Sequence, residues 1–401
     1  MSIPHLFRCP ISLDLLTDPV TLSTGQTYDR PSIERWLAEG NLTCPVTMQR
    51  LHDTTLVPNH TLHHLIDQWL LAGADLNSPQ KPARPIDDHE LSLSMVKQNL
   101  QSPSATHAMK LEALKKVRIL SIESDIGQAS LIHLGFFPLL LRLLFQTPQI
   151  GDSEFVEVAM DCVLSLSPST QLDSLNMLEK DIFLASLLVL LDQGNMKIKT
   201  SLCHLLEAIA QTLVTRELCL IIGQSRRILQ VLVSLLHNKS ESQAAEAAAR
   251  AISSICLLEA NQGNVIKEGV IDGLITYLSW NSAQKSACLA LATLELLLGL
   301  EAGKLAVIKN LNAVQVLAKL VFRVSCNQEG SENAIGSLLI MCHSSARVRM
   351  EAVNAGLLTQ LLLLLQSQCS SRAKTKARAL LKLLRSMWAE DPEGGNFHNG
   401  M

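Results

Sequence analysis

The chain has 401 residues, a formal net charge of −3, 47% apolar residues and only 3% aromatics. That length is too great for one ordinary core and calls for two domains or a solenoid. The near-neutral charge supplies no global basic field to recruit nucleic acid or membrane. Scarce aromatics beside abundant Leu, Ile, Val and Ala disfavour a sandwich or barrel and favour packed helices. The first residues carry no signal-peptide pattern, and no apolar run reaches the ~20 residues that span a bilayer. Ten scattered cysteines form no C-x-x-C pair. They read as small buried apolar side chains in a reduced, intracellular compartment.

Phe7-Arg-Cys-Pro-Ile-Ser-Leu13 reads as a loop with exposed apolar residues, because Pro10 disfavours helix at Cys9. Asp18–Leu22 predicts a short strand, Ser23–Gln26 a turn and Thr27-Tyr28 a returning strand. Asp29 is the expected cap of a helix with Pro31 in its first turn and Ile33, Trp36 and Leu37 on one face. Cys44-Pro-Val-Thr47 is a second loop, and Leu51 to Pro58 is extended. Asn59 is expected to cap a closing helix carrying Leu62, Leu65, Ile66, Trp69 and Leu70.

Residues 77–106 are rich in Ser, Pro, Asp and Gln and read as a linker that could hold a short helix over Asp88–Leu100, with Leu91, Met95 and Val96 on one face. From 107 to 390 the pattern is continuous amphipathic helix. Segments opening at Gly135, Asp181, Arg227, Gly269, Asn312 and Gly356 repeat an apolar phrase, and their first residues stand 46, 46, 42, 43 and 44 positions apart. A period of about 40–47 residues is that of HEAT and armadillo repeats. Each phrase follows an Ala- or Leu-rich helix, such as Gln243–Leu258. No single repeat can bury its own apolar face, so stacking must build the core. The basic residues Arg372, Lys374, Lys376, Arg378, Lys382 and Arg385 read as the solvated face of a terminal helix. Residues 391–401 read as a disordered tail.

Loop, hairpin, helix, second loop and closing helix is the layout of a RING-type module, which ties its loops with eight zinc ligands. Here only Cys9 and Cys44 stand near ligand positions, and His52, His60, His63 and His64 supply no zinc pattern. No metal or other cofactor is expected. Without metal, hydrogen bonds, ion pairs and a small core must hold the loops.

Ile3 to Val20, Thr24 to Arg30, Ile33-Glu-Arg-Trp-Leu37, Thr43-Cys-Pro-Val-Thr47 and Leu56 to Leu62 together resemble the U-box signature, in order. The repeats resemble armadillo repeats, in which the phrase Gly-x-Ile-x-x-Leu-Val-x-Leu-Leu is taken to open the third helix. Asp181 and Arg227 depart from its glycine. The combination resembles a plant family of U-box ubiquitin ligases with armadillo repeats. The resemblance implies a mainly α fold: a zinc-free, RING-like α+β U-box over 1–76, then a right-handed α-solenoid of about six repeats.

The resemblance further implies ubiquitin transfer without a covalent ligase intermediate, and so no catalytic triad. The U-box would hold a ubiquitin-conjugating enzyme through Ile11, Leu13, Trp36 and Pro45, and the repeats would hold the protein substrate. A substrate lysine would then attack the thioester, helped by proximity. In many such ligases a cation after the second loop bonds to both the enzyme and ubiquitin. Met48 stands there and cannot do this; Arg50 is the candidate substitute if the loop is re-routed. A signalling kinase in defence or stress responses is the substrate class the resemblance suggests. The expected location is the cytoplasm, with the nucleus or the plasma-membrane periphery reached through partners. The alternative is a non-catalytic armadillo scaffold with a weakened U-box. A nuclear-import receptor would resemble a Trp and Asn ladder, and the repeat zone offers only Trp280 and Trp388.

Overall fold

A computed structural model describes residues 4–63, 65–66, 88–123, 125–146, 152–167, 172–280, 285–323 and 328–389. The chain divides into two compact units, Met1–Ile86 and Asp87–Met401.

The first unit holds a three-stranded antiparallel sheet in the order β2-β1-β3. Its strands are β1 (Pro19–Thr21), β2 (Thr27–Asp29) and β3 (Val57–Pro58). Val20 sits opposite Tyr28 on one side and Pro58 on the other. Helix α1 (Arg30–Ala38) follows β2 directly, with Pro in its first turn. The core is small: Cys9, Leu16, Val20, Leu22, Tyr28, Ile33, Cys44, Leu51 and Ile66.

Polar bonds supplement that core. Asp29 occupies the N-cap of α1 but makes no side-chain cap bond. Its carboxylate instead accepts from Thr17 N–H (2.7 Å), Asp18 N–H (2.8 Å) and Thr17 Oγ1 (3.1 Å), tying the chain before β1 to the end of β2. Arg30 Nε reaches Asp18 Oδ2 at 2.5 Å across the same junction. Asn59 does cap, accepting from Leu62 N–H at 3.0 Å. Residues 60–63 and 65–66 are helical; Trp69 and Leu70 lie outside the described residues.

The second unit is a solenoid. Among the described residues, six units each run short helix, middle helix, long helix, as in Glu259–Lys267, Val270–Trp280 and Lys285–Leu297. The short and middle helices meet at steep bends, 75° between Arg216–Gln224 and Arg226–His237. Long helices pack on long helices, so that Met196–Ala210 touches Ser242–Ile255, which touches Lys285–Leu297. Middle helices form a second ladder and short helices a third. One continuous apolar core runs from Leu93 to Leu384.

Two features differ from the sequence-based expectations, and a third, the left-handed cap offered by the repeated glycine, agrees with them. The repeated phrase opens the second helix of each unit, not the third, because a separate short helix precedes it. The stretch read as a linker contains the helix Asp88–Gln101, whose buried face is Leu93, Val96 and Leu100. Met95 is exposed, and the Leu91 side chain lies outside the described residues, as do residues 77–87 and 391–401. Finally, the phrase's glycine is a backbone device. Gly269 and Gly356 have φ of +86° and +78°, and an added Cβ would meet nothing within 4 Å. Where the glycine is missing, the middle helices start after extended residues, Lys180 and Ser225. The short helix before Lys180 is 3-10, over Leu172–Glu179.

No single helix among the described residues is long and apolar enough to cross a bilayer.

Candidate functional site

The two loops of the first unit are copies of one another, offset by 35 residues. In the first, Cys9 N–H donates to Asp14 O, Leu13 N–H to Cys9 O and Leu16 N–H to Phe7 O. In the second, Cys44 N–H donates to Gln49 O, Met48 N–H to Cys44 O and Leu51 N–H to Leu42 O. The stems match as well, as antiparallel bridges Arg8↔Leu15 and Thr43↔Arg50. Cys9-Pro-Ile-Ser-Leu-Asp14 therefore corresponds, residue for residue, to Cys44-Pro-Val-Thr-Met-Gln49. The second loop is not re-routed, and the exposed Arg50 sits in its stem rather than at its tip.

Each loop closes around a buried sulfur. Cys9 Sγ accepts from Asp29 N–H at 3.4 Å. Cys44 Sγ takes the Thr24 hydroxyl at 3.3 Å and lies 3.0 Å from the Tyr28 hydroxyl, which itself accepts from Val46 N–H at 3.2 Å. Burial pushes the Cys44 thiol up, but bonds from Thr24, Thr47 and Tyr28 outweigh it and bring it down to about 6. Burial also opposes ionisation of Cys9, and backbone donors at Ser12, Asp29 and Ile11 outweigh it more modestly. Tyr28 is pushed well up, first by burial and then by Cys44 beside it. Among the described residues no group of three or more His, Cys, Asp and Glu is placed to hold a metal. Both sulfurs serve as hydrogen-bond acceptors inside their loops.

The loop tips carry apolar side chains outward. Leu13 is 67% exposed and Met48 73%. Both have left-handed backbone, φ +61° and +57°, and they are the only non-glycine residues so held among the described residues. Such backbone costs about 1 kcal/mol or more per residue. Ile11 and Trp36 are half-buried and pack on the unit's core. Trp36 Nε1 donates to Thr43 O at 2.9 Å, pinning α1 to the stem of the second loop. Pro45 is half-buried beside the exposed Val46. Sequence reasoning passed over Val46 and saw in Met48 only a missing cation. The matching strings Cys-Pro-Ile-Ser-Leu and Cys-Pro-Val-Thr-Met were the available signal.

A second surface lies along the long helices of the solenoid, where ion pairs cross from layer to layer. Lys115 meets Glu154 at 2.9 Å, Lys197 meets Glu157 at 3.1 Å and Arg250 meets Glu207 at 2.9 Å. Burial raises the Glu207 carboxyl, but His204 and Arg250 more than offset it, so its pKa ends below the ordinary value. Near the far end Lys376 reaches Glu295 at 2.7 Å across the intervening helix Gln328–Ser344. That helix yields space at Gly336, where a Cβ would stand 2.0 Å from Glu295 Oε1. Packed helices stand about 8–10 Å apart, so side chains two layers apart meet only if this face is concave. The ladder of long helices thus forms the groove of the solenoid.

Comparison with known proteins agrees with both halves. Residues 3–74 match the U-box domain model and residues 93–393 the model of the plant U-box protein ARM repeat region. U-box domain-containing protein 26 of Arabidopsis thaliana is 36% identical over 403 residues, covering 98% of this chain and 94% of that protein. E3 ubiquitin-protein ligase PUB23 of the same plant is 28% identical over 400 residues, covering 98% and 95%. Among solved structures, a chain from a study of the cadherin–beta-catenin interaction superposes with a TM-score of 0.61 at 16% identity, over 81% of this chain and 58% of that one. That likeness speaks for the fold alone. Matched over both its units, the chain belongs to the plant U-box proteins with armadillo repeats and is a U-box E3 ubiquitin transferase.

Proposed function

We propose that Ile11, Leu13, Trp36 and Pro45 dock a ubiquitin-conjugating enzyme carrying ubiquitin, while the solenoid groove holds a protein substrate whose lysine attacks the thioester. The observation that carries this reading is the rigid, sulfur-centred first loop, which holds Leu13 in solvent instead of burying it. Apolar side chains on a fixed frame make anchor patches. The chain then supplies proximity and orientation, with no nucleophile of its own. Arg50, the cation that follows the second tip, is the candidate for a contact to ubiquitin.

Ile11→Ala in the full-length protein tests the docking. Self-ubiquitination with a promiscuous conjugating enzyme is expected to fall more than about tenfold, a loss of roughly 1.4 kcal/mol. Unchanged activity would overturn the assignment. A second reading, a scaffold with a weakened U-box, draws on the uncharged Met48. It predicts no self-ubiquitination by the wild-type chain in the same assay. The proposed substrate class is a signalling kinase, on family analogy, and the proposed location is the cytoplasm, with the nucleus or the plasma-membrane periphery reached through partners. Proximity labelling in plant cells, wild type against Ile11→Ala, tests both.

A further inference from the structure

The last long helix, Ser371–Ala389, carries Arg372, Lys374, Lys376, Arg378, Lys382 and Arg385 and no acidic residue. Among the described residues Lys376 is the only one of these cations in an ion pair; it turns to the groove and meets Glu295 and Glu332. Lys374, Arg378, Lys382 and Arg385 share another stripe, at steps of four, four and three residues, opposite the buried Ala373, Ala377, Leu380 and Leu384. Arg378, Lys382 and Arg385 are exposed and Lys374 is half-buried. Like charges at that spacing repel along a helix, so the stripe works against the fold that carries it. A helix face exposed merely to solvent usually mixes signs, as the unit's first described helix does with Asp88, Glu90 and Lys97.

Beside the stripe, the last middle helix, Leu357–Gln366, shows apolar side chains where a further layer would pack. Six residues on from the start of each repeated phrase stand Leu141, Leu187, Val233, Ile275, Ala318 and Leu362. The first five are buried or packed on the core. Leu362 is 54% exposed, because no described layer follows it. Its neighbour Leu363, 41% exposed, holds the position of Arg142, Ser234, Thr276 and Lys319 in other units. A solenoid end ordinarily takes a polar face. This end is apolar on one helix and cationic without an acid on the next, and the two helices pack together.

We propose that this end of the solenoid lies directly on an anionic lipid surface, with the cationic stripe among the headgroups and Leu362 and Leu363 at the acyl boundary. The inference goes beyond the reading above, which reaches a membrane only through partners, and it stands whether or not the docking assignment does. Charge complementarity selects the occupant. A second copy of this chain would bring the same cations against one another. A nucleic acid would take the cations but leave both leucines in water, and no described side chain of either helix is aromatic, to stack on a base. A membrane surface uses both features, since basic side chains are drawn to anionic headgroups and apolar ones insert just beneath them. Each cation is worth about fivefold in binding there. Such contact is peripheral and reversible, and it would confine ubiquitin transfer to substrates at that surface.

The test is co-sedimentation of the purified full-length protein with vesicles, titrated in lipid. Vesicles of phosphatidylcholine alone are compared with vesicles that also hold phosphatidylserine and phosphatidylinositol bisphosphate. Binding is expected to the anionic vesicles only, and it should weaken as salt rises. Arg378→Gln with Lys382→Gln should raise the half-binding lipid concentration about 25-fold, two fivefold steps. Leu362→Ser should raise it about threefold to tenfold and leave its salt dependence as in the wild type. The melting temperature and self-ubiquitination in solution should hold in every variant, since all three side chains are exposed and lie outside the U-box. No binding of the wild type to anionic vesicles overturns the inference, as does equal binding by the doubly neutralised variant. Capture of polyglutamate or duplex DNA in place of vesicles would also overturn it, and would assign the stripe to an acidic protein segment or to nucleic acid.

Discussion

Replacing Asn59 by alanine removes a side chain that joins three parts of the U-box. Its Nδ2 donates to Thr21 Oγ1 at 3.3 Å and Thr27 Oγ1 at 3.2 Å, one on each of two paired strands. Its Oδ1 accepts from Leu62 N–H at 3.0 Å and caps the closing helix. Losing a cap costs about 1 kcal/mol. Each neutral, part-buried hydrogen bond is worth about 0.5–1.5 kcal/mol. Thr21 and Thr27 keep their mutual bond at 2.9 Å, which limits the damage. The sum for Asn59→Ala is then about 2–3 kcal/mol, or roughly 10–20 °C for a domain this small. Asn59→Ser retains a cap and should lose about half as much. Amide hydrogen exchange in the full-length chain reads this directly. Opening free energies at Val20 and Tyr28 should fall by these amounts, while amides of Ser242–Ile255 in the solenoid stay fixed as an internal reference. A fall below about 0.5 kcal/mol for alanine, or equal losses for serine and alanine, would refute the assignment of cap and cross-strand bonds.

Two further perturbations address charge. Cys44 titrates near 6 in the fold against an ordinary 9.0, so the folded U-box binds fewer protons than the unfolded chain between those values. Its stabilisation is complete above about pH 9 and fades as pH falls toward 6. The stability difference between wild type and Cys44→Ser, followed by exchange at Tyr28, should therefore widen from pH 6 to 9; a constant difference would contradict the sulfur's role as acceptor. In the solenoid, Arg250→Ala leaves Glu207, whose side chain is only 10% exposed, with only Gln211 Nε2 at 3.2 Å and His204 beside it. The cost should be about 2 kcal/mol, below the figure for fully buried pairs because Arg250 is itself 42% exposed. Adding Glu207→Gln should recover more than half of the melting temperature lost, and a strictly additive double mutant would deny the coupling.

What the sequence reveals here follows from what apolar periodicity can see. The middle and long helices bury continuous stripes, such as Leu229, Leu232 and Leu236, and their spacing betrays the solenoid. The short helices are only nine residues or fewer and bury few apolar side chains, and in one of them part of the buried face is polar. In Glu259–Lys267 the buried face includes Asn261 and Gln262. The Asn261 amide donates to Cys219 O and Ile255 O at 3.2 Å, and Gln262 donates to Cys256 O at 3.0 Å. These side chains satisfy carbonyls at buried helix ends, a task that reads as loop composition in a sequence. The third-helix placement of the glycine phrase came with the armadillo resemblance, and the order short, middle, long helix makes it the second. Asp29 failed similarly: its type and place suit a cap, but Thr17 and Asp18 offer three donors from across the hairpin. In the U-box the first loop was legible from Pro10, but the docking role of Ile11, Leu13 and Pro45 came only with the family signature, since they follow no helical or strand period.

The absence of a metal pattern in the U-box sequence raises the question of what holds two strained tips in place. Each tip is closed by three backbone bonds anchored on a cysteine, and the cysteine is fixed from inside by donors to its sulfur. Bonds of about 1 kcal/mol each suffice to offset backbone strain of about 1–3 kcal/mol at Leu13 and at Met48, but with little to spare. The fold and the exposure of both tips thus draw on the same few contacts. Loosening Tyr28 or Cys44 should free Met48 to leave its left-handed conformation before it unfolds the domain. The strands would then remain paired, and the second loop should be the more sensitive, because Tyr28 joins both its sulfur and its Val46 amide.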